Sequence, residues 1–195
     1  EGSRVPCVYL METPAAPGVY SGGLSQAEAG AAMTRHLLSH GRRRVAFAAA
    51  QLDPRTLQRL EGWRAVMKEA GLHSPVLEWL NPNPSSIALG GVMFEQIMGQ
   101  TPPVDAIFFC NDDLAQGALL AALRRGIAVP QQVAIAGFND LTGSDQMVPP
   151  LTTIRTPRSE MGAQAATMLL QLIRGETVPK PCLDLGFQVV ERGSS

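Results

Sequence analysis

Hydrophobic positions along the chain follow two alternating patterns. Residues 45–50 (VAFAAA), 106–110 (AIFFC) and 133–138 (VAIAGF) are short unbroken apolar runs, the signature of parallel strands covered on both faces. Around them lie stretches with apolar residues at three- and four-residue spacing, which predict helices. Residues 25–39 open on Ser25, Gln26, Ala27 and Glu28, a capping-box spacing in which Ser25 and Glu28 can satisfy each other's free backbone N–H groups. Residues 53–70 start with Asp53 as cap and Pro54 in the first turn, align Leu57, Leu60, Trp63 and Met67, and stop at Gly71. Residues 85–98 make a weaker helix because Gly90 and Gly91 interrupt them. Residues 112–125 are rich in Ala and Leu and end at Gly126. Residues 156–174 repeat the pattern, with Thr156 as cap and Gly175 after the last turn.

Strands alternating with helices over more than half the chain predict βαβ units and an α/β, doubly wound parallel sheet. Residues 20–23 and 143–150 are turn-rich and read as crossings into another lobe. Residues 5–11 and 183–190 read as strands of a second sheet, too few to complete it, so the chain looks truncated. Composition narrows the picture further. With 45% apolar residues among 195, the chain can bury a core, which excludes a disordered tail. Sixteen Lys and Arg against seventeen Asp and Glu leave a net charge of −1, whereas a surface-wide nucleic-acid footprint needs uncompensated basic residues. No stretch approaches the ~18 consecutive apolar residues of a membrane span, and residues 1–4 are unlike a signal peptide. Cys7, Cys110 and Cys182 are odd in number and widely spaced, which favours reduced thiols in a cytoplasmic protein over a disulfide framework.

In open α/β sheets ligands bind beyond the carboxyl ends of the strands. Three polar groups fall there: Gln51 and Asp53 after the first run, Asn111, Asp112 and Asp113 after the second, and Asn139 and Asp140 after the third. Asp after a strand is an ordinary helix cap, and that role suits Asp53 and Asp112. Asn111 and Asn139 each precede a better cap, and an amide can both donate to and accept from a ligand hydroxyl. Arg55 and Arg59 lie four apart in the first turns of one helix, where their mutual repulsion and the helix dipole both act against them. They make an anion site able to grip a carboxylate, or else a surface pair neutralised by Asp53 and Glu61. Trp63 fits the core stripe. His36, His40 and His73 have no partner at metal-ligand spacing, so no metal is expected. No phosphate-binding glycine loop, dinucleotide fingerprint or nucleophile elbow is present, and neither catalysis nor a cofactor is expected.

Several strings resemble lactose/galactose-repressor-type transcription regulators. Residues 35–46 (RHLLSHGRRRVA) are similar to that family's segment before its first central strand, and Arg59 to Trp63 to its arginine–glycine–aromatic element. The similarity continues through residues 105–117, 126–140 and 149–162 in the family's order. It implies a two-lobed fold like that of periplasmic sugar-binding proteins, with a small-molecule cleft and a preceding helix-turn-helix headpiece. On that reading residues 1–22 belong to the first lobe, 23–142 form the second and 143–195 return to the first, which is incomplete here. The headpiece that would bind operator DNA is missing from this chain. Carried over by position, Arg59 and Asn111 are effector contacts, and Asn139 stands where many members place an Asp. Arg55, Ser25 and Glu12 complete the expected effector set. Ala115 and Leu119, with Asp145 and Met147, are expected at a homodimer interface. Residues 8–14, 156–162, 173–176 and 183–187 look most like the gluconate-operon repressor subgroup. A second Arg and an Asn in place of Asp make the cleft less negative, which fits a sugar acid, although Glu12 argues the other way. The resemblance implies a cytoplasmic repressor domain that senses a sugar or sugar acid, with a periplasmic sugar-binding protein of a transport system as the alternative.

Overall fold

The computed structural model of the chain describes residues 5–14 and 16–195; residues 1–4, read above as unlike a signal peptide, lie outside them. The chain forms two compact units. The smaller consists of the residues up to Ser25 together with Thr156–Phe187, and the larger of Gln26–Arg155 with Gln188–Ser195. In chain order the elements are β1 (Val8–Leu10), β2 (Tyr20–Gly23), α1 (Gln26–Ser39), β3 (Val45–Ala50), α2 (Pro54–Glu69), β4 (Glu78–Asn81) and α3 (Ile87–Met98). There follow β5 (Ala106–Phe109), α4 (Asp112–Arg125), β6 (Ala134–Asn139), β7 (Thr152–Arg155), α5 (Arg158–Ile173), β8 (Cys182–Asp184) and β9 (Gln188–Val190).

In the larger unit the strand order is β4-β3-β5-β6-β7-β9. All pairs are parallel except β7 with β9. Strands β3 and β5 are buried along their whole length, as unbroken apolar runs require. The chain leaves β3 toward β4 on one side and returns to β5 on the other, so the strand order reverses between β3 and β5. The carboxyl ends of those two strands flank the crevice that such a reversal opens. Phe47, Trp63 and Phe108 anchor the core, with Phe47 edge-on to Phe108 at 5.3 Å.

The helices pair as α1 with α2 and α3 with α4, each pair close enough that only glycine fits at the crossing. A Cβ on Gly62 would overlap the backbone of Ala27, and one on Gly90 the backbone of Leu114. The Gly90–Gly91 pair expected to weaken α3 is therefore its packing surface, and the helix runs through it unbroken. Burial of the crossing outweighs the roughly 1 kcal/mol that a mid-helix glycine costs.

In the smaller unit β1, β2 and β8 form a parallel sheet with β2 in the centre, and α5 packs on β1 and β2. The turn-rich Tyr20–Gly23 is thus a strand, not a crossing. Gly23 fits there because it lies against the backbone of Glu12, a place where side-chain propensity gives no guidance. Residues 143–155 and 188–195, assigned above to the first lobe, pack with the larger unit, because β7 hydrogen-bonds to β6 and β9 to β7. Thr156 does not cap α5: its hydroxyl is buried without a hydrogen-bond partner among the described residues, and Pro157 stands at the helix start.

Candidate functional site

Helix α2 begins as its sequence requires. The Asp53 carboxylate accepts from the Thr56 N–H at 2.9 Å and Pro54 occupies the first turn. Arg55 Nη2 donates to Asp53 Oδ2 at 3.0 Å, so its charge is paired at the helix start. Burial alone would raise the Asp53 pKa, but the Thr56 N–H and Arg55 hold it below its ordinary value.

One turn later Arg59 turns inward and is only 6% exposed. Its Nε donates to Gln26 Oε1 at 2.7 Å and its Nη1 to the Cys110 carbonyl at 2.6 Å. The guanidinium carbon sits 3.7 Å from the centre of the Phe138 ring. Each of these partners is neutral, and Arg59 makes no ion pair with any described residue. Burial pulls its pKa down to about 10, which still leaves it charged at neutral pH. A buried charge without a counter-ion is costly; the Phe138 face and two carbonyl-type acceptors offset only part of that cost.

The Cys110 carbonyl directly follows β5, so Arg59 lies at the reversal in strand order. Around it the backbone is unusual at the strand ends. Gln51, Asn139 and Asp140 all have positive φ, at 52°, 108° and 51°, a conformation that costs energy for any residue with a side chain and concentrates at binding sites. Asn139 Oδ1 is buried and has no hydrogen-bond partner among the described residues. Asp140 is turned to Arg155 at 2.7 Å and Arg192 at 2.8 Å. Those two cations outweigh burial and depress its pKa. An uncompensated cation and an open amide acceptor thus occur at the ends of neighbouring strands in one unit, and an anion carrying hydroxyls could satisfy both.

Asn111 takes over the capping duty expected of Asp112. Asn111 is the cap of α4: its Oδ1 accepts from the Leu114 N–H at 3.1 Å, and its Nδ2 donates to Ser85 Oγ at 2.8 Å. Asp112 is fully buried, and its carboxylate accepts from the Thr153 hydroxyl at 2.6 Å, the Leu141 N–H at 2.6 Å and the Ser144 hydroxyl at 3.0 Å. It ties α4 to β7 and to the loop after β6. Burial raises its pKa despite those donors.

Glu12 and Ser25 belong to the smaller unit, where both are half-buried. Of the expected dimer residues, Ala115 and Leu119 are buried inside the larger unit, because that face of α4 packs on the sheet and on α3. They are not available to a partner. Asp145 is exposed and Met147 half-buried. No sequence signal points to Gln26, Ser85 or Phe138 at this site. Gln26 is 33 positions from Arg59 and sits in a stretch that reads as a helix start, and only the α1–α2 crossing makes it a partner.

A profile described as the periplasmic-binding-protein-like domain matches residues 34–195. Over its whole length the chain is 54% identical to the HTH-type transcriptional regulator GntR of Pseudomonas aeruginosa, of which it spans 57%. Its fold is similar to the crystal structure of the transcription regulator GntR from Chromobacterium violaceum, with 50% identity and a TM-score of 0.93 over 96% of this chain and 69% of that one. A LacI family transcriptional regulator from Silicibacter pomeroyi is 30% identical, with a TM-score of 0.86 over 98% of this chain and 70% of that one. Among the described residues no helix is long and apolar enough to cross a membrane.

Proposed function

The chain belongs to the periplasmic-binding-protein-like domain family, in the branch carried by LacI-family transcriptional regulators, and from that premise we propose that it is the effector-sensing part of a DNA-binding repressor responding to a sugar acid, gluconate first. The observation that carries the ligand class is Arg59: a buried guanidinium with neutral partners only. A carboxylate ligand supplies the missing counter-charge. Its hydroxyls meet the open Asn139 Oδ1 and the Asn111–Ser85 amide–hydroxyl pair. Arg55 plays a lesser part because Asp53 already holds it. Ser25 and Glu12 stay in the proposed set on the resemblance alone.

The names of the similar regulators agree with this ligand class. The whole protein acts in the cytoplasm as a homodimer, with Asp145 and Met147 near the contact, and reaches operator DNA through a separate headpiece. It performs no catalysis. A ligand that prefers one state of such a regulator by ~1–3 kcal/mol suffices for a useful response.

The test is calorimetric titration of gluconate, glucose and ribose into the regulator at the length of its relatives, beside Arg59→Lys and Asn139→Ala. The lysine keeps the charge but loses the two-point fork. Saturable gluconate binding that weakens about tenfold or more in Arg59→Lys, a loss of ~1.5–3 kcal/mol for a charge-assisted contact, supports the reading. Binding of a neutral sugar only, unchanged in both variants, overturns it.

A further inference from the structure

His36, in the last turn of α1, and His40, just after its end, have ring centres 4.3 Å apart, and the sequence offers them no third ligand. The fold supplies one. Directly after β9, Glu191 places Oε1 3.3 Å from His40 Nε2 and Oε2 4.0 Å from His36 Nδ1. The segment carrying it is pinned. The Arg192 N–H donates to Thr152 Oγ1 at 2.9 Å, Arg192 Nη1 to the Leu151 carbonyl at 2.8 Å, and Ser194 Oγ to the Ile135 carbonyl at 2.6 Å.

The far side of each ring fixes which nitrogen faces the carboxylate. His40 Nδ1 lies 2.9 Å from the His36 carbonyl, a contact that needs an N–H there. His40 Nε2 is therefore the nitrogen turned toward Glu191. His36 Nε2 is engaged by Ser195 Oγ at 2.8 Å, so Nδ1 is the atom turned inward. Two imidazole nitrogens and a carboxylate then face one another, all within 4.8 Å. With a lone pair on each facing nitrogen, the two imidazoles and the carboxylate can converge on a single cation.

We propose that His36 Nδ1, His40 Nε2 and the Glu191 carboxylate bind a borderline transition-metal ion, Zn2+ first, on the larger unit. Two imidazoles and one carboxylate are a ligand set that zinc favours. Metal–ligand distances of about 2.0–2.2 Å put tetrahedral neighbours roughly 3.3 Å apart, which small side-chain rotations achieve here. Glu191 and His40 are 60% and 37% exposed, so water completes the shell. Ser195 takes the outer role of orienting the His36 ring through its second nitrogen. The bound ion ties α1, which carries Gln26 beneath Arg59, to the segment that carries Arg192 beneath Asp140.

The experiment is calorimetric titration of ZnCl2 into the untagged, metal-stripped 195-residue chain near neutral pH, with visible absorption of Co2+ as a second readout. His40→Gln and Glu191→Gln alter exposed side chains, and circular dichroism confirms that they fold; Cys7→Ser is the control. The expected result is one ion per chain with micromolar affinity and visible cobalt bands. Each of the two variants weakens binding by about tenfold or more, since loss of a direct ligand costs at least as much as loss of an outer partner. Cys7→Ser leaves it unchanged. Absence of saturable binding would mean that a proton alone bridges His40 and Glu191, and binding undiminished in both variants would place the ion elsewhere; either overturns the proposal.

Discussion

Glu78, at the start of β4, shows how single charged residues hold the larger unit together. It accepts from Arg64 Nε at 2.8 Å and meets His73 Nε2 at 3.0 Å. The Arg64 contact holds its pKa below the ordinary carboxylate value, against a smaller opposing effect of burial. A carboxyl with a depressed folded-state pKa contributes stability above its unfolded pKa of about 4.3 and loses it as pH falls through the folded value. Glu78→Gln therefore lowers stability at neutral pH by ~0.5–1 kcal/mol, discounted for partial exposure, and the difference from the native chain closes in acid. Urea unfolding at neutral and acidic pH reads both effects. Asp53 and Asp140 have the same sign. Asp112 has the opposite one: its raised pKa favours folding only in acid, and that contribution is lost as pH rises through the folded value. At neutral pH its three donors keep the cost of burying it small.

At the scale of elements, glycines on two helices should respond oppositely to alanine. Helix propensity alone makes every mid-helix Gly→Ala stabilising by up to about 1 kcal/mol. At Gly62 a Cβ would overlap the Ala27 backbone, which cannot move without parting α1 from α2. Overpacking of that kind costs ~1–3 kcal/mol, so Gly62→Ala is net destabilising. It also shifts Arg59, one turn away, from Gln26. At Gly162 on α5 a Cβ meets nothing within 4 Å, and Gly162→Ala stabilises by ~0.5–1 kcal/mol. Thermal unfolding of the pair measures the contrast, and a rise in Tm for both would mean that the α1–α2 crossing is looser than described.

For the molecule as a whole, the smaller unit governs behaviour in solution. β1 is an edge strand of its sheet, and Tyr9 and Leu10 on it are 56% and 47% exposed. Leu170 and Ile173 on α5 are 52% and 64% exposed. An open strand edge beside exposed apolar side chains invites pairing with another chain. The 195-residue chain is expected to self-associate with rising concentration in light scattering, and Leu10→Lys to reduce it. A monomer at all concentrations would count against that. In the proposed homodimer, the burial of Ala115 and Leu119 leaves the loop around Asp145 and Met147 as the part of the expected interface open to a partner.

Sequence by itself determined the central strands β3, β5 and β6, the α2 start at Asp53 and Pro54, the core place of Trp63 and the family. Unbroken apolar runs, capping chemistry and helical stripes are local signals, carried by residues a few positions apart. Tertiary structure decided what depends on distant residues meeting. Whether Arg59 or Arg55 carries an unpaired charge turns on Gln26, Cys110 and Phe138, each brought to α2 by packing rather than by chain proximity. The same holds for the cap of α4, since Asp112 could leave that duty only because Thr153, Ser144 and Leu141 converge on it. A sequence shows which side chains are able to hold a charge. Only the fold determines which of them are left without a counter-charge once water is excluded.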